Sequence, residues 1–341
     1  MLQDARIYQI LFLSSFLLLG ISTRDWTLHP EIVLTAIATC TTTQLIAGHC
    51  QTWIEGKAED RRQKAEGQES GAERKGSKEV REHGSNLECK TSKLLPIYSP
   101  THPLTHSPTP TPNSLFSPLI TSLGLSLLLR TDHITTMMLA AIAAILSKFV
   151  VRMQGKHIFN PANMGIVAAI LLTHDAWVSP GQWGEESWFA LLFLGAGGVV
   201  VGRVGRWDTT IAFLIPYAVM EAMRNLWLGW TWDVWLHRLM SGSLLLFALF
   251  MVTDPRSIPN ARTARILWAV AIALLTFILR NVFFVSTAVF WALFALSPLT
   301  LLLDVVWQAP RFLWQGRNQK DEEEKPSVEV PSQKTALEFK T

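Results

Sequence analysis

The chain has 341 residues, of which 49% are hydrophobic and 17% are charged, and its formal net charge is +3. The charges crowd into residues 55–93 and 311–340, which leaves long apolar stretches elsewhere. Such stretches predict a membrane protein and argue against a soluble protein with buried helices. The small net charge gives no indication of nucleic-acid binding. Three cysteines without a C-x-x-C spacing indicate neither a metal site nor a disulfide framework.

Ten apolar runs follow one another along the chain, and several approach the twenty residues that cross a ~30 Å hydrocarbon layer. They cover residues 7–22, 31–49, 115–130, 134–151, 162–173, 187–202, 209–226, 234–252, 264–280 and 282–305. The fifth run is short and begins as a broken or re-entrant element. We therefore expect an all-α, polytopic membrane protein with about ten transmembrane helices, in two five-helix halves of opposite orientation.

The runs also divide the chain. Residues 1–49 are predicted to hold transmembrane helices 1 and 2, and residues 114–308 to hold helices 3 to 10. Between them, residues 50–113 are rich first in Lys, Glu, Arg and Gln and then in proline. This segment has too little apolar surface to offset the entropy lost when a chain becomes ordered. We therefore predict a disordered cytoplasmic loop, inserted between the spans. Residues 309–341 form a charged tail. Lys and Arg crowd onto the segments that a ten-span arrangement puts on one side, which predicts that both termini are cytoplasmic.

The first candidate site is the stretch GKHIFNPANMG, residues 155–165. Asn-Pro ends one segment and begins a helix, since proline suits the first helical turn. Free N–H groups of that turn, with the amides of Asn160 and Asn163, would then point at a polar ligand. An ordinary helix capped by asparagine explains the same residues equally well.

The second candidate site is MVTDPRSIP, residues 251–259, where a long apolar helix ends in Thr-Asp-Pro. Asp254 precedes a proline and is therefore pushed out of the helical conformation. Its carboxylate would accept hydrogen bonds from a ligand, pair with Arg256 or Arg262, or simply lie in water at a helix end. Within the spans, Glu221 and Arg224 are three residues apart and can pair on one helix face.

Taken together, GKHIFNPANMG, WGEESW at 183–188 and MVTDPRSIP, followed by Arg280 and SPLTLLLD, resemble one family. This is the RnfD/NqrB family of membrane subunits, which the Rnf electron transport complex shares with the sodium-pumping NADH:quinone oxidoreductase. Val252 stands where the family usually has alanine. The resemblance covers most of residues 4–49 and 115–316, and the order and spacing of the motifs carry it.

The resemblance implies a multi-pass subunit of a redox-driven, ion-translocating oxidoreductase in a prokaryotic inner membrane. Its partners would be the lipid bilayer and the other subunits of the complex, and its cofactor a flavin, riboflavin or FMN. The S-G-A-T motif to which the family attaches FMN is absent, so we expect a non-covalent flavin. The expected cofactor-binding residues are Phe159, Asn160, Pro161, Asn163, Thr253 and Asp254.

Two other functions fit the same residues. Carriers and channels also place broken helices and polar helix ends at a central site, so a channel or carrier for a small solute or ion without redox function is the main alternative. A scaffold subunit that binds no cofactor is the other.

Overall fold

The computed structural model describes residues 4–23, 29–79, 115–153, 156–179 and 187–312. Helices dominate it, which confirms the all-α prediction. The helices are α1 (Ala5–Thr23), α2 (Pro30–Glu79), α3 (Phe116–Leu128), α4 (Ile134–Val150), α5 (Pro161–Leu172), α6 (Ser187–Val204), α7 (Trp207–Leu228), α8 (Trp232–Leu239), α9 (Gly242–Leu246), α10 (Arg262–Asn281), α11 (Ala288–Leu296) and α12 (Leu299–Val306). A π-helical turn, Phe247–Met251, directly continues α9.

Two short antiparallel pairs of strands lie at opposite ends of α4. Strand β1 (Leu129–Thr131) pairs with β4 (Ala176–Val178), and β2 (Arg152–Met153) pairs with β3 (Lys156–His157). Strands β2 and β3 form a hairpin that turns the chain back between α4 and α5, so these two helices run antiparallel and pack together. Their close approach depends on Gly165, because a Cβ there would lie 2.6 Å from the Ala140 carbonyl oxygen.

Every one of the ten apolar runs contains a helix or a bent pair of helices. Among the described residues, the helices long and apolar enough to cross a membrane are α1, the first 29 residues of α2, and α10. Two bent pairs of helices raise that number to five when each pair is counted as one span. The span count of ten, the two oppositely oriented halves and the cytoplasmic position of the termini stay predictions.

Two runs that the sequence presents as continuous are broken in the structure. Residues 234–252 become α8 and α9, which meet at an angle of 47°. The break falls at Met240 and Ser241, directly before Gly242, and a Ser-Gly pair commonly accompanies a helix kink. Residues 282–305 become α11 and α12, bent by 48° at Pro298, and the chain before α11 is non-helical.

The predicted disordered loop is the larger difference. Helix α2 continues through residues 50–79, a stretch that was expected to have no secondary structure. This segment is rich in Glu, Lys, Arg, Gln and Ala, which all favour helices, and a helix already formed by an apolar segment propagates into them at little cost. Residues 80–113 lie outside the described part of the chain. Of the predicted tail, the first four residues are described, and they follow α12 as irregular chain.

Candidate functional site

The two polar breaks that the sequence singles out meet in space. The Asn160 side-chain amide Nδ2 lies 3.3 Å from Asp254 Oδ2 and 3.4 Å from the Met251 carbonyl oxygen, so it donates to both. Asn160 is buried and Asp254 is half-buried. Two residues 94 positions apart therefore form one polar centre. We call the end of the molecule where this centre lies the Asp254 end.

Asn160 is held in place because it caps α5. Its Oδ1 accepts a hydrogen bond from the Asn163 backbone N–H at 3.1 Å, and Pro161 begins the helix. Asparagine is among the preferred N-cap residues because its oxygen satisfies one of the free amides of the first turn. The ordinary cap is thus present, and it leaves the Nδ2 of the same side chain to reach Asp254.

Asp254 is positioned by the way the preceding helix ends. The π-helical turn runs to Met251, and the Thr253 hydroxyl turns back to donate to the Leu249 carbonyl oxygen at 2.6 Å. Asp254, before Pro255, leaves the helix as expected. Its carboxylate accepts from the Ser257 hydroxyl at 3.1 Å and from the Arg256 backbone N–H at 3.2 Å. Its expected partner Arg262 instead lies 3.5 Å from Asp208.

A cavity of about 120 Å³ opens beside this centre. The walls are mostly apolar side chains of α1, α3, α6 and the α9 segment, and the polar groups gather at the Asp254 end. The polar lining comprises Arg6, Gln9, Ser117, Thr121, Lys148, His157, Asn160, Thr253, Asp254 and Arg256. An apolar cleft with a few convergent polar groups is the usual form of a small-molecule site.

Lys148 is the cation at this cavity that lies deepest, with 5% of the residue exposed. Its Nζ donates to Thr121 Oγ1 at 3.0 Å and to Ser117 Oγ at 3.1 Å, and both of these oxygens are uncharged. Asp254 borders the same cavity, but its carboxylate is engaged by Asn160 and Ser257. A buried ammonium bonded only to uncharged oxygens is costly, which makes it a candidate for ligand binding.

His157 is the second polar group with an unmet requirement. Burial, followed by the charges of Arg256, Arg152 and Lys148, lowers the pKa of His157 to about 3, so its ring is neutral at physiological pH. Its Nδ1 is buried, and among the described residues it has no hydrogen-bond partner. A neutral imidazole that donates through one nitrogen accepts through the other. The side chain of His157, which lines the cavity, thus carries a ring nitrogen that could accept from an N–H or O–H group.

The structure brings four of the six expected site residues to the cavity: Asn160, Pro161, Thr253 and Asp254. The other two lie outside its lining. Phe159 stacks on Phe294 with ring centroids 4.8 Å apart, and the Asn163 amide Nδ2 donates to the Phe290 carbonyl oxygen at 3.2 Å. Both therefore fasten the start of α5 to α11 and do not face the ligand space.

Lys148 and His157 are the residues that sequence reasoning missed. Lys148 reads as an ordinary basic residue at the end of an apolar helix, where a cation favours the helix dipole. His157 lies inside the stretch first singled out, yet its burial depends on the hairpin between α4 and α5. The one signal in the sequence was a basic residue within a run that otherwise lacks charge.

The opposite end of the molecule carries a different polar cluster, which we call the Glu221 cluster. Glu221 does not pair with Arg224, as the spacing had suggested, but with Arg238 of α8 at 2.8 Å and with the Asn281 amide at 2.7 Å. The Arg224 guanidinium instead lies over the Trp230 ring, 4.8 Å from its centroid. Arg280 donates to the Tyr217 hydroxyl at 3.2 Å.

The apolar helices and the buried charges indicate the class, a helical membrane protein, and the polar cavity at one end is its candidate site. Comparison with known proteins shows which family this chain resembles. The sequence model of the NQR2, RnfD, RnfE family matches residues 172–312. The RnfD subunit of the ion-translocating oxidoreductase complex of Stutzerimonas stutzeri is 31% identical over 140 residues, which are 41% of this chain. These matches confirm the resemblance over residues 172–312, whereas over residues 4–49 and 115–171 it stays a prediction.

The family match covers only part of the residues that form the cavity. The aligned segment spans 38% of the length of the Stutzerimonas stutzeri protein. Asp254 lies inside the segment that the family model matches, whereas Asn160 and Lys148 precede it. The half of the cavity built by α3, α4 and the start of α5 is therefore supported by geometry alone.

Proposed function

We propose that this chain is a membrane subunit of an ion-translocating electron transport complex, and that its cavity holds a non-covalent flavin. The match to the NQR2, RnfD, RnfE family supports the first part, as does the relative that is named as part of an ion-translocating oxidoreductase complex. The single observation that supports the second is the contact between Asn160 and Asp254, which joins the two motif breaks at one cavity.

The chemistry of the lining fits a flavin. An isoalloxazine ring presents carbonyl acceptors and one ring N–H, and a ribityl chain presents hydroxyls. The Asp254 carboxylate, which Asn160 Nδ2 holds in place, would supply an acceptor, and His157 Nδ1 a neutral acceptor. Apolar side chains such as Leu127 and Phe250 supply the walls that a flat ring requires. When bound, the flavin would supply reversible electron uptake, and the protein would bind it, orient it and exclude water.

Assembly and ion coupling complete the proposal. Within the complex, the chain would help electron transfer and Na⁺ or H⁺ translocation together with the other subunits. In the part of the chain that the structure describes, buried acidic groups accompany cations at both ends of α7: Asp208 pairs with Arg265 at 2.9 Å and Glu221 with Arg238. Ionisable residues at such depth often mark a route for ions, although here each is already neutralised.

The test is purification of the full chain with its partner subunits, followed by absorbance spectroscopy and mass analysis of the released flavin. We expect one flavin that is released on denaturation, and a large loss of it, about tenfold or more in affinity, when Asp254→Asn removes a charged acceptor. Asp132→Asn, an exposed acid at the far end of the molecule, is the matched control.

Two results would count against the proposal. A complex without flavin would remove the redox role from this chain. Flux of a solute or cation into liposomes without an electron donor would favour the alternative of a channel or carrier.

A further inference from the structure

An open groove of about 530 Å³ lies between α2 and α4 and is lined by different residues from the cavity at the Asp254 end. We call it the α2–α4 groove. Its lining on α2 recurs every three or four residues from Thr43 to Ile54, so it is one face of that helix, and its lining on α4 runs from Ile142 to Val150. At 1.5 Å per residue, the α2 side is about 16 Å long.

This length matches one leaflet of a bilayer. The apolar stretch of α2 that is long enough to cross a membrane covers Pro30–Ala58. Thr43 therefore lies near the middle of the span, and Ile54 lies near its end. Half of a hydrocarbon layer of ~30 Å is about 15 Å, so the groove extends from the membrane surface to the midplane.

The lining of the groove is mainly aliphatic, and the fold leaves much of it uncovered. Ile46 on α2 is 66% exposed, and Val150 on α4 is 76% exposed. Leu146 lies between the two helices and is also exposed. Apolar surface of this kind suits bulk lipid, a helix of a partner subunit or one bound lipid equally well, so the charges beside it decide between them.

Cationic side chains continue the same face of α2 beyond the groove. Lys57 and Arg61 follow Ile54 by three and seven residues, which places both on the face that lines the groove, and both are exposed. On α4, Arg152 follows Val150 by two residues and is exposed as well. Both helices thus carry basic residues where the groove reaches the membrane surface.

Two further features agree with a lipid headgroup at this place. Trp53 is 63% exposed, and the Lys57 ammonium lies 3.7 Å from its ring centroid. Exposed tryptophan is typical of the level of the headgroups. The acidic positions of this stretch of α2, which are 55, 59 and 60, fall on other faces of the helix by its period of 3.6 residues. The groove therefore ends at a face that is cationic.

We propose that the α2–α4 groove binds one anionic phospholipid, with an acyl chain between α2 and α4 and its phosphate at Lys57, Arg61 and Arg152. Lysine and arginine form charge-assisted hydrogen bonds to phosphate oxygens. An apolar helix of a partner subunit would fill the groove but would leave these cations without a counter-charge, whereas an anionic lipid satisfies both. The site is independent of the proposed flavin.

The experiment measures binding of phosphatidylglycerol and phosphatidylcholine, which differ in headgroup charge, to the full chain by native mass spectrometry. We expect phosphatidylglycerol to bind about tenfold or more tightly, because basic residues near an anionic headgroup contribute on that scale. The double variant Lys57→Gln/Arg61→Gln should lose most of this preference, while its affinity for phosphatidylcholine stays unchanged.

Two further variants test the groove and the specificity of the charges. Leu146→Trp fills the groove and should weaken binding of both lipids alike. Arg262→Gln is the matched control, because Arg262 is an exposed arginine at the start of α10, which packs on α7 and α11. It should keep the preference. Equal binding of the two lipids to the wild type, unchanged binding in Leu146→Trp, or a loss of preference in Arg262→Gln as large as in the double variant would each overturn the proposal.

Cys50 separates a lipid from a partner subunit, because this exposed cysteine lines the groove. In a Cys89→Ser protein, Cys50 is the thiol that a maleimide reaches, since Cys40 is buried. We expect phosphatidylglycerol to slow the labelling of Cys50 and phosphatidylcholine to slow it less. Labelling that phosphatidylglycerol leaves unchanged, but that partner subunits block, would assign the groove to a helix of a partner and overturn the lipid site.

Discussion

The two ends of the molecule treat buried charge in opposite ways. In the Glu221 cluster, both carboxylate oxygens of Glu221 have a donor, Arg238 Nη1 and Asn281 Nδ2, and Arg238 also donates to the Asn281 oxygen at 3.1 Å. At the Asp254 end, Lys148 donates to uncharged oxygens and His157 Nδ1 has no partner among the described residues. One polar cluster is closed, and the other is open.

The difference indicates which polar groups hold the fold and which await a ligand. A closed network has every donor and acceptor satisfied, and it therefore fastens the helices that carry it. Here it joins α7, α8 and α10. An open cluster leaves polar groups that only an additional molecule can satisfy, which is why the cavity, and not the Glu221 cluster, is the candidate site.

Removing a charge from the Glu221 cluster should have the largest effect. Glu221→Gln keeps the shape but leaves Arg238 without its counter-charge. Breaking a buried pair by removing one partner costs several kcal/mol, and because the Arg238 side chain is 24% exposed we expect about 3 kcal/mol. The measurement is the free energy of unfolding in detergent micelles. Flavin affinity should stay at the wild-type level.

The control for this substitution is Asp132→Asn, which changes an exposed acid at the same end. We expect it to shift stability by less than about 0.5 kcal/mol. A Glu221→Gln protein that is as stable as the wild type but has lost flavin binding would reverse the roles of the two clusters.

Much of the fold was accessible from the sequence, because the apolar runs are long and each one contains a helix. The breaks within the runs could not be predicted from the sequence. Ser241 and Gly242 fit equally well a straight helix that packs closely and a bend, and only the neighbouring helices decide between the two. The extension of α2 to Glu79 was missed for another reason. Composition measures how little a segment gains from burial, but it does not measure how easily a segment prolongs an existing helix.

The site was predictable only in part. Asn160 and Asp254 stood out because Asn-Pro and Asp-Pro end helices, and local rules of backbone geometry identify such positions. Phe159 and Asn163 belong to the same stretch, yet in the folded chain both contact α11. Lys148 reaches the cavity only because α3 and α4 are neighbours, with Ser117 31 positions earlier in the chain. Contacts over such distances leave no local pattern.

The open cluster should also respond to pH. The pKa of His157 is lowered to about 3, so the folded protein keeps the ring neutral while the unfolded chain takes up a proton near pH 6.5. The contribution of the neutral His157 ring to stability is therefore fully present above pH 6.5 and is lost as the pH falls towards 3. Linkage gives a loss of about 2 kcal/mol between pH 7 and pH 5, as an upper figure. The free energy of unfolding against pH measures it.

His157→Gln should flatten this pH dependence, because glutamine does not titrate. His174→Gln, which removes an exposed imidazole beyond the far end of α5, should leave the profile as steep as in the wild type. An unchanged slope in His157→Gln would mean that the ring is hydrated in the folded protein, and the acceptor assigned to the cavity would then be wrong.

The smallest expected effect distinguishes the two roles of Asn160, which caps α5 and contacts Asp254. Asn160→Ala removes the cap of α5 and should cost about 1 kcal/mol, whereas Asn160→Ser keeps a capping oxygen and should cost a few tenths. Both remove the Nδ2 that reaches Asp254 at 3.3 Å, so both should weaken flavin binding alike. Thermal unfolding and fluorescence titration measure the two quantities. Substitutions of Asn160 should thus change stability and flavin binding by different amounts, because its Oδ1 caps α5 and its Nδ2 contacts Asp254 at the cavity. If serine costs as much stability as alanine, the contact with Asp254 is itself a structural bond, and the Asp254 end is closed in the same sense as the Glu221 cluster.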